Sequence, residues 1–352
     1  MNKRYEIVSR IDVGRSEWDA FVDASDEAWL WHRFDFQDVL QTWPGSVDRC
    51  FALRDKANRG EIVALVPLRQ VNRSLFRLAT LYVLESLGGP ACSNAVSPRL
   101  KRELLTLVRL HVIAMAQIGR CLEIRFMLSP MAPAFRGESC PRVNPLLEMG
   151  CGNEISQTWV IDLRREFAAV QSGYSDLTRR ELKKVTHANH VIREASTAED
   201  IEDYFKLHCE TYHRTGAQPH PKAYFQQIFE KFVPFGHSRF LFLEKDGKLI
   251  AAQNTAVYKG AAWYWTGASL NEKAGGENRV LFDCQMSHAK SKAGCEWYET
   301  GEAFPQALGG KRKGLNDFKR SFGGELFPYF KGRLSIGTLG EKLYHFAAEL
   351  RS

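Results

Sequence analysis

None of the eight cysteines (Cys50, Cys92, Cys121, Cys140, Cys151, Cys209, Cys284 and Cys295) stands in a C-x-x-C pair. That scatter excludes the common structural zinc spacings, so no metal site is expected. In a chain of 352 residues it argues for unpaired thiols in a reducing cytoplasm. No apolar run reaches the length of a membrane span. The most apolar helix candidate, over 104–118, is interrupted by Arg109, His111 and Gln117. Met1-Asn2-Lys3-Arg4-Tyr5-Glu6 is followed by no apolar signal core, which again makes the cytoplasm the expected location. There is no G-x-S-x-G, no H-E-x-x-H and no G-x-x-x-x-G-K-[ST]. The sequence thus carries no marker of a serine-hydrolase elbow, a zinc protease or a P-loop nucleotidase.

What is present fits a globular protein. Hydrophobic residues make up 44% of the chain and charged residues 25%, and the length accommodates two domains of ordinary size. The net charge of +7 suits an anionic partner: a nucleotide diphosphate, coenzyme A, a phospholipid-linked sugar or tRNA. It is equally the charge of an ordinary mildly basic protein.

The second half reads element by element. A short strand over 191–194 leads to Ser196-Thr197-Ala198-Glu199, which fits a capping box with Ser196 as N-cap. Behind it Ile201, Tyr204, Phe205, His208 and Tyr212 share one helical face, and Gly216 stops the helix. A second helix is expected over 222–232. Three strands follow, over 240–244, 249–258 and 261–268, with hairpin turns at Asp246-Gly247 and Lys259-Gly260. A helix over 279–293, a strand over 296–300, a short helix and strands over 326–330 and 333–336 complete the order. The first half repeats the scheme. A strand over 6–8 precedes helices around Trp18 and around Phe36–Trp43. Strands over 50–54, 61–68 and 77–84 follow, then a helix opened by Ser97-Pro98 and a strand over 121–127. The join falls where Gly150-Cys151-Gly152-Asn153 breaks the pattern.

Four runs carry chemistry. Gly314-Leu315-Asn316-Asp317-Phe318-Lys319-Arg320-Ser321-Phe322-Gly323-Gly324 follows the strand-like Trp297-Tyr298-Glu299-Thr300-Gly301-Glu302. A lysine beside a buried aromatic can reach into a cleft along its aliphatic stem, though on helix pattern alone Lys319 is a solvated lysine. Glu210-Thr211-x-x-Arg214-x-Gly216 places an arginine in a last helical turn. There it either opposes the helix dipole or offers its planar fork to phosphate. Tyr264-Trp265-Thr266-Gly267-Ala268-Ser269 is an aromatic strand ending in small residues, which permit close approach of a ligand to the backbone. Leu177-Thr178-Arg179-Arg180-Glu181-Leu182-Lys183-Lys184 is a basic helical run whose simplest reading is a solvated face.

These runs together resemble the FemAB/FemX-like aminoacyl- and acyltransferases, a branch of the N-acetyltransferase-like (GNAT) superfamily, over about residues 155–335. The resemblance implies an α+β (α/β) fold of tandem GNAT-like domains, each a mixed, mostly antiparallel central sheet flanked by helices. The domains are expected over 1–150 and 155–352. It implies transfer of an acyl or aminoacyl group to an amino group of a cell-envelope precursor, an amino sugar or a peptidoglycan peptide. The donor would be acyl-CoA or aminoacyl-tRNA, with no tightly bound cofactor. The acceptor would be a small molecule or a lipid- or nucleotide-linked sugar or peptide. tRNA and the inner membrane surface are compatible partners, and DNA is not one. Lys319 and Glu299 become the expected catalytic residues, with Arg214, Tyr264, Trp265, Ser269, Phe318 and Arg180 on the substrate. The alternatives are a bridge-forming peptidoglycan aminoacyltransferase proper and a non-catalytic binding protein that keeps the fold. Three family features are missing. Pro44-Gly45-Ser46-Val47 stands where some bridge-forming members carry a lysine, no long heptad arm occurs, and residues 271–279 hold Gly275-Gly276 without the usual coenzyme A loop spacing.

Overall fold

The computed structural model describes residues 4–75, 79–186, 190–270, 276–338 and 341. The chain divides into two compact units: residues 1–156 with 329–352, and residues 157–328. The second domain expected from sequence ran to Ser352. Residues 329–352 cluster with the first unit instead, for a reason that lies in the last strand.

The first unit opens with β1 (Tyr5–Ser9), α1 (Arg10–Val13), α2 (Arg15–Ala24) and α3 (Phe34–Leu40). Strands β2 (Val47–Asp48), β3 (Phe51–Asp55), β4 (Glu61–Val66), β5 (Arg69–Leu75), β6 (Ala79–Gly88) and β7 (Ala91–Cys92) follow, then α4 (Pro98–Ile118) and β8 (Cys121–Leu128). Ser97 caps α4 through its hydroxyl, with Pro98 at the first helical position, as the sequence implied. The strand expected over 77–84 is β6, whose described part begins at Ala79; residues 77 and 78 lie outside the described residues. One antiparallel sheet runs β1-β3-β4-β7, and a second orders β2, β5, β6 and β8. Tryptophans 18 and 29 are wholly buried in this unit.

The second unit comprises β9 (Glu154–Asp162), α5 (Phe167–Ser172), α6 (Asp176–Thr186), β10 (His190–Glu194), α7 (Ala198–Arg214), α8 (Lys222–Phe232), β11 (Ser238–Lys245), β12 (Lys248–Tyr258), β13 (Ala261–Ser269), α9 (Glu277–Ser291), β14 (Trp297–Ala303) and α10 (Gly310–Arg320). The last strand, β15 (Glu325–Leu334), leads out of it. Its residues Lys331–Leu334 pair with Ile124–Met127 of β8, which returns the chain to the first unit. The sequence suggested two strands here; Gly332 lies mid-strand and breaks nothing.

The strand order in the second unit is β10-β11-β12-β13-β14-β9, antiparallel throughout except for the parallel pair β13 and β14. Alternation along β11 sorts the helices to the two faces. Phe240 and Phe242 meet Tyr204 of α7, whereas Leu241 and Leu243 cluster with Leu281 of α9. Under α9 lies a larger cluster of Ile161, Leu163, Tyr174, Phe282, Tyr298 and Phe322. The N-cap of α7 is one residue later than expected. Thr197 Oγ1 accepts from Asp200 N (3.2 Å), and the Asp200 carboxylate takes the N–H groups of Ser196 (2.7 Å) and Thr197 (3.0 Å). Arg193 fixes that carboxylate from the preceding strand at 2.6 Å, a contact Glu199 does not make.

Candidate active site

Strands β13 and β14 pair over only three positions: Ala261 with Trp297, Ala262 with Tyr298, and Trp263 with Glu299. Beyond that they part. Residues 264–269 stay on β12, while Thr300–Ala303 turns toward β9, where the register shifts between Glu299 and Glu302. The shift is made at Gly301, with φ +88°. Its dihedral favours glycine, and a Cβ at Gly301 would sit 2.8 Å from Lys319 Nζ, so any side chain there must displace the lysine. The result is a fork in the sheet with Glu299 at its base.

Lys319 reaches this fork from α10. The helix is held by Phe318 and Phe322, whose rings lie 5.2 and 4.9 Å from that of Phe282 on α9. Asn316 ties it further, its Oδ1 accepting from Trp159 Nε1 and Phe304 N, both at 3.1 Å. Lys319 is buried and its Nζ donates to the Glu302 carbonyl at 2.7 Å. An ammonium has three donors. Among the described residues no second acceptor and no carboxylate within ion-pair distance takes the other two.

Glu299 is wholly buried. Its Oε1 accepts from the Thr158 hydroxyl and from Gly301 N (2.9 Å), while Oε2 has no partner among the described residues. The Thr158 hydroxyl also lies 2.9 Å from the Gly301 carbonyl. Burial pushes the Glu299 carboxyl above the usual carboxylate range, against the pull of its hydrogen bonds and of the Lys319 charge. Burial likewise pushes Lys319 below the ordinary lysine value, with Glu299 and Glu302 opposing.

The other expected residues divide. Tyr264 packs against Phe282 with ring centroids 4.6 Å apart, and its Cδ1 is 4.0 Å from where a Gly301 Cβ would be, so it borders the fork. Ser269 ends the same strand. Its N–H donates to Thr211 Oγ1 (2.9 Å), and its carbonyl accepts from Thr211 Oγ1 (3.0 Å) and Arg214 Nη2 (2.9 Å). Phe318 and Ser269 share a cleft of about 230 Å³ with Ile250, Leu270, Asn278 and Arg279. Trp265 is a correction. As the strand neighbour of Tyr264 it faces the opposite side of the sheet, where its Nε1 donates to Tyr224 Oη (2.9 Å) and its ring meets Phe232. Arg180 is exposed on α6, and among the described residues it bonds to none of these groups. Of the candidate coenzyme A loop, residues 271–275 lie outside the described residues.

Sequence reasoning missed Thr158, Thr211 and Asn316 as site-building residues. Thr158 sits in β9, some 140 positions before the glutamate it holds, and no local spacing reveals that pairing. A glycine inside the strand-like Glu299-Thr300-Gly301-Glu302 was the one usable signal, since such a glycine marks a bulge.

Comparison with known proteins agrees with this geometry. Residues 176–320 match the acetyltransferase (GNAT) domain family. No curated protein sequence matches the chain. Among solved structures, FemX covers 97% of this chain and 99% of its own at 14% identity, with a TM-score of 0.69. A tandem GNAT protein from the clavulanic acid biosynthesis pathway covers 95% and 99% at 13% identity, TM-score 0.56. The L-PGS of Bacillus licheniformis covers 94% and 95% at 13% identity, TM-score 0.56. The chain therefore has the FemX-like, tandem GNAT fold, and residues 176–320 of its second unit match the acetyltransferase (GNAT) domain.

Proposed function

We propose that the protein forms an amide on an amino group of a cell-envelope precursor, an amino sugar or a peptidoglycan peptide carried on a lipid or a nucleotide. The donor is an activated acyl carbonyl, an acyl-CoA or an aminoacyl-tRNA. The envelope assignment is supported by the fold shared with FemX and with a lysylphosphatidylglycerol synthetase domain of Agrobacterium fabrum. The observation that carries the chemistry is Lys319: a buried ammonium at a fork in the sheet, with one hydrogen bond made and two donors unspent.

In this reading the neutral acceptor amine attacks the donor carbonyl. The C–N bond forms, the bond from carbonyl carbon to thiolate or ribose oxygen breaks, and the extra proton on nitrogen leaves with that group. Lys319 meets the negative charge that develops on the carbonyl oxygen or the leaving group. Glu299 is too deeply buried to touch the acceptor. It acts through Lys319, as a positioning residue whose charge keeps the ammonium protonated. Arg214, exposed and spending one nitrogen on Ser269, has its remaining donors for an anionic acceptor.

The test is product detection. Purified protein is incubated with acyl-CoA or aminoacyl-tRNA and with amino-sugar nucleotides or peptidoglycan precursors, and new amides are sought by mass spectrometry. With an active pair, Arg214→Lys should raise the acceptor Michaelis constant about tenfold, because the charge stays and the planar fork is lost. An unchanged constant removes Arg214 from the acceptor site. Tight binding of these ligands without any amide product would favour a non-catalytic binding protein.

A further inference from the structure

Residues 308–315, Leu-Gly-Gly-Lys-Arg-Lys-Gly-Leu, form a run of eight consecutive exposed residues at the start of α10. Leu308 is 96% exposed, the most exposed large apolar side chain among the described residues, and Leu315 closes the run at 39%. Lys311, Arg312 and Lys313 stand between them, and the run contains no acid. Three cations at a helix N-terminus oppose the helix dipole, which favours acids there. Among the described residues only one carboxylate answers them, Asp317, which pairs with Lys313. Arg312 rests 5.6 Å over the Phe304 ring, and Lys311 makes one long contact to the Thr215 carbonyl (3.4 Å). The segment is relieved by negative charge from outside, and its leucines gain from leaving water.

We propose that this segment docks the second unit on an anionic lipid bilayer, with Leu308 entering the acyl boundary and Lys311 and Arg312 meeting headgroup phosphates. A nucleic-acid backbone would satisfy the cations equally well, but it offers an exposed leucine nothing. Hydrocarbon does, and apolar insertion together with basic attraction is the pairing that holds a peripheral protein on a membrane. Lys311 lies eight residues before Lys319, about 12 Å along the helix axis. Docking therefore sets the base of the transfer helix at the headgroup layer.

Flotation of the full-length protein with phosphatidylcholine vesicles, with and without phosphatidylglycerol, tests this. Lipid binding is read without donor or acceptor, so its failure leaves the transfer chemistry untouched. Binding should require phosphatidylglycerol. Leu308→Asp, and separately Lys311→Glu with Arg312→Glu, should each lower the partition coefficient at least about tenfold. The melting temperature should be unchanged, because these side chains are exposed. Binding without phosphatidylglycerol dependence, or none at all, overturns the proposal. So does loss on charge reversal while Leu308→Asp binds as wild type and tRNA competes; that pattern marks a general polyanion surface.

Discussion

Lys319 holds a charge where burial opposes charge. Replacing it with methionine keeps a buried apolar stem and removes the ammonium. One such electrostatic contact supplies about 2–4 kcal/mol of transition-state stabilisation, so Lys319→Met should lose roughly a hundredfold in turnover while melting close to wild type. Turnover within a few-fold of wild type would reduce Lys319 to a packing residue. The pH profile gives an independent check. Because burial lowers the Lys319 pKa from 10.5, the ammonium is lost as pH rises through that lowered value. At saturating acceptor, turnover should fall on an alkaline limb well below 10.5, and the methionine variant should lack the limb. His208 offers a second residue-scale test, of stability rather than chemistry. It is wholly buried, its Nε2 accepts from His220 N (3.1 Å), and its Nδ1 has no partner among the described residues. Burial, with the neighbouring His220, pulls its pKa from 6.5 down to about 3. The folded state thus binds fewer protons than the unfolded one in that window. The stabilisation is fully present above 6.5 and is lost as pH falls toward 3. His208→Phe should melt at a temperature that depends less on pH between 7 and 5 than wild type does, whatever its stability at neutral pH. An unchanged slope would show that the acid response arises elsewhere.

At the scale of elements, two glycines separate chemistry from support. Gly301 makes the bulge beside Lys319, whereas Gly324 lets the chain after α10 pass β9, where a Cβ would meet the Val160 carbonyl at 2.6 Å. Both have φ near +90°. Alanine at either should cost on the order of 1–3 kcal/mol of backbone strain, more at Gly324 because the obstructing atom is backbone. Gly301→Ala must also displace the Lys319 side chain, so turnover should fall far more than melting temperature. Gly324→Ala should show the reverse, and equal effects from both would dissolve the distinction. The same elements show what could be read in advance. The meander β11-β12-β13 was legible because its strands are short apolar runs and its two-residue turns carry Asp246-Gly247 and Lys259-Gly260. The Phe-Lys helix was legible through Phe318 and Phe322. Strand β5 was not, because Arg69-Gln70-Val71-Asn72-Arg73 is too polar to stand out from a loop and is held by its ladder to β6. The bulge that leaves Trp265 and Thr266 on one face was not legible either, since one inserted residue resets the alternation without altering composition.

For the molecule as a whole, the eight thiols report on packing in both units. All are free, and five of them (Cys50, Cys92, Cys121, Cys151 and Cys295) are buried. Burial pushes Cys92 and Cys151 up to about 12 and Cys121 and Cys284 up to about 11, so at pH 8 these carry little thiolate. A thiol reagent followed by peptide mass mapping should label Cys140 and Cys209 first in the native protein. The buried five should react only on unfolding. Early labelling of Cys92 or Cys151 would mean that the first unit opens more readily than its burial implies.

The return of β15 to β8 has a consequence for how the chain is made. Ile124–Met127 are synthesised some two hundred residues before the Lys331–Leu334 segment that completes their ladder. On a ribosome the amino-terminal unit must therefore wait, with one edge of its sheet open, while the whole transfer unit is synthesised and emerges. The β8–β15 ladder of the amino-terminal unit can form only after every residue of the second unit has been made.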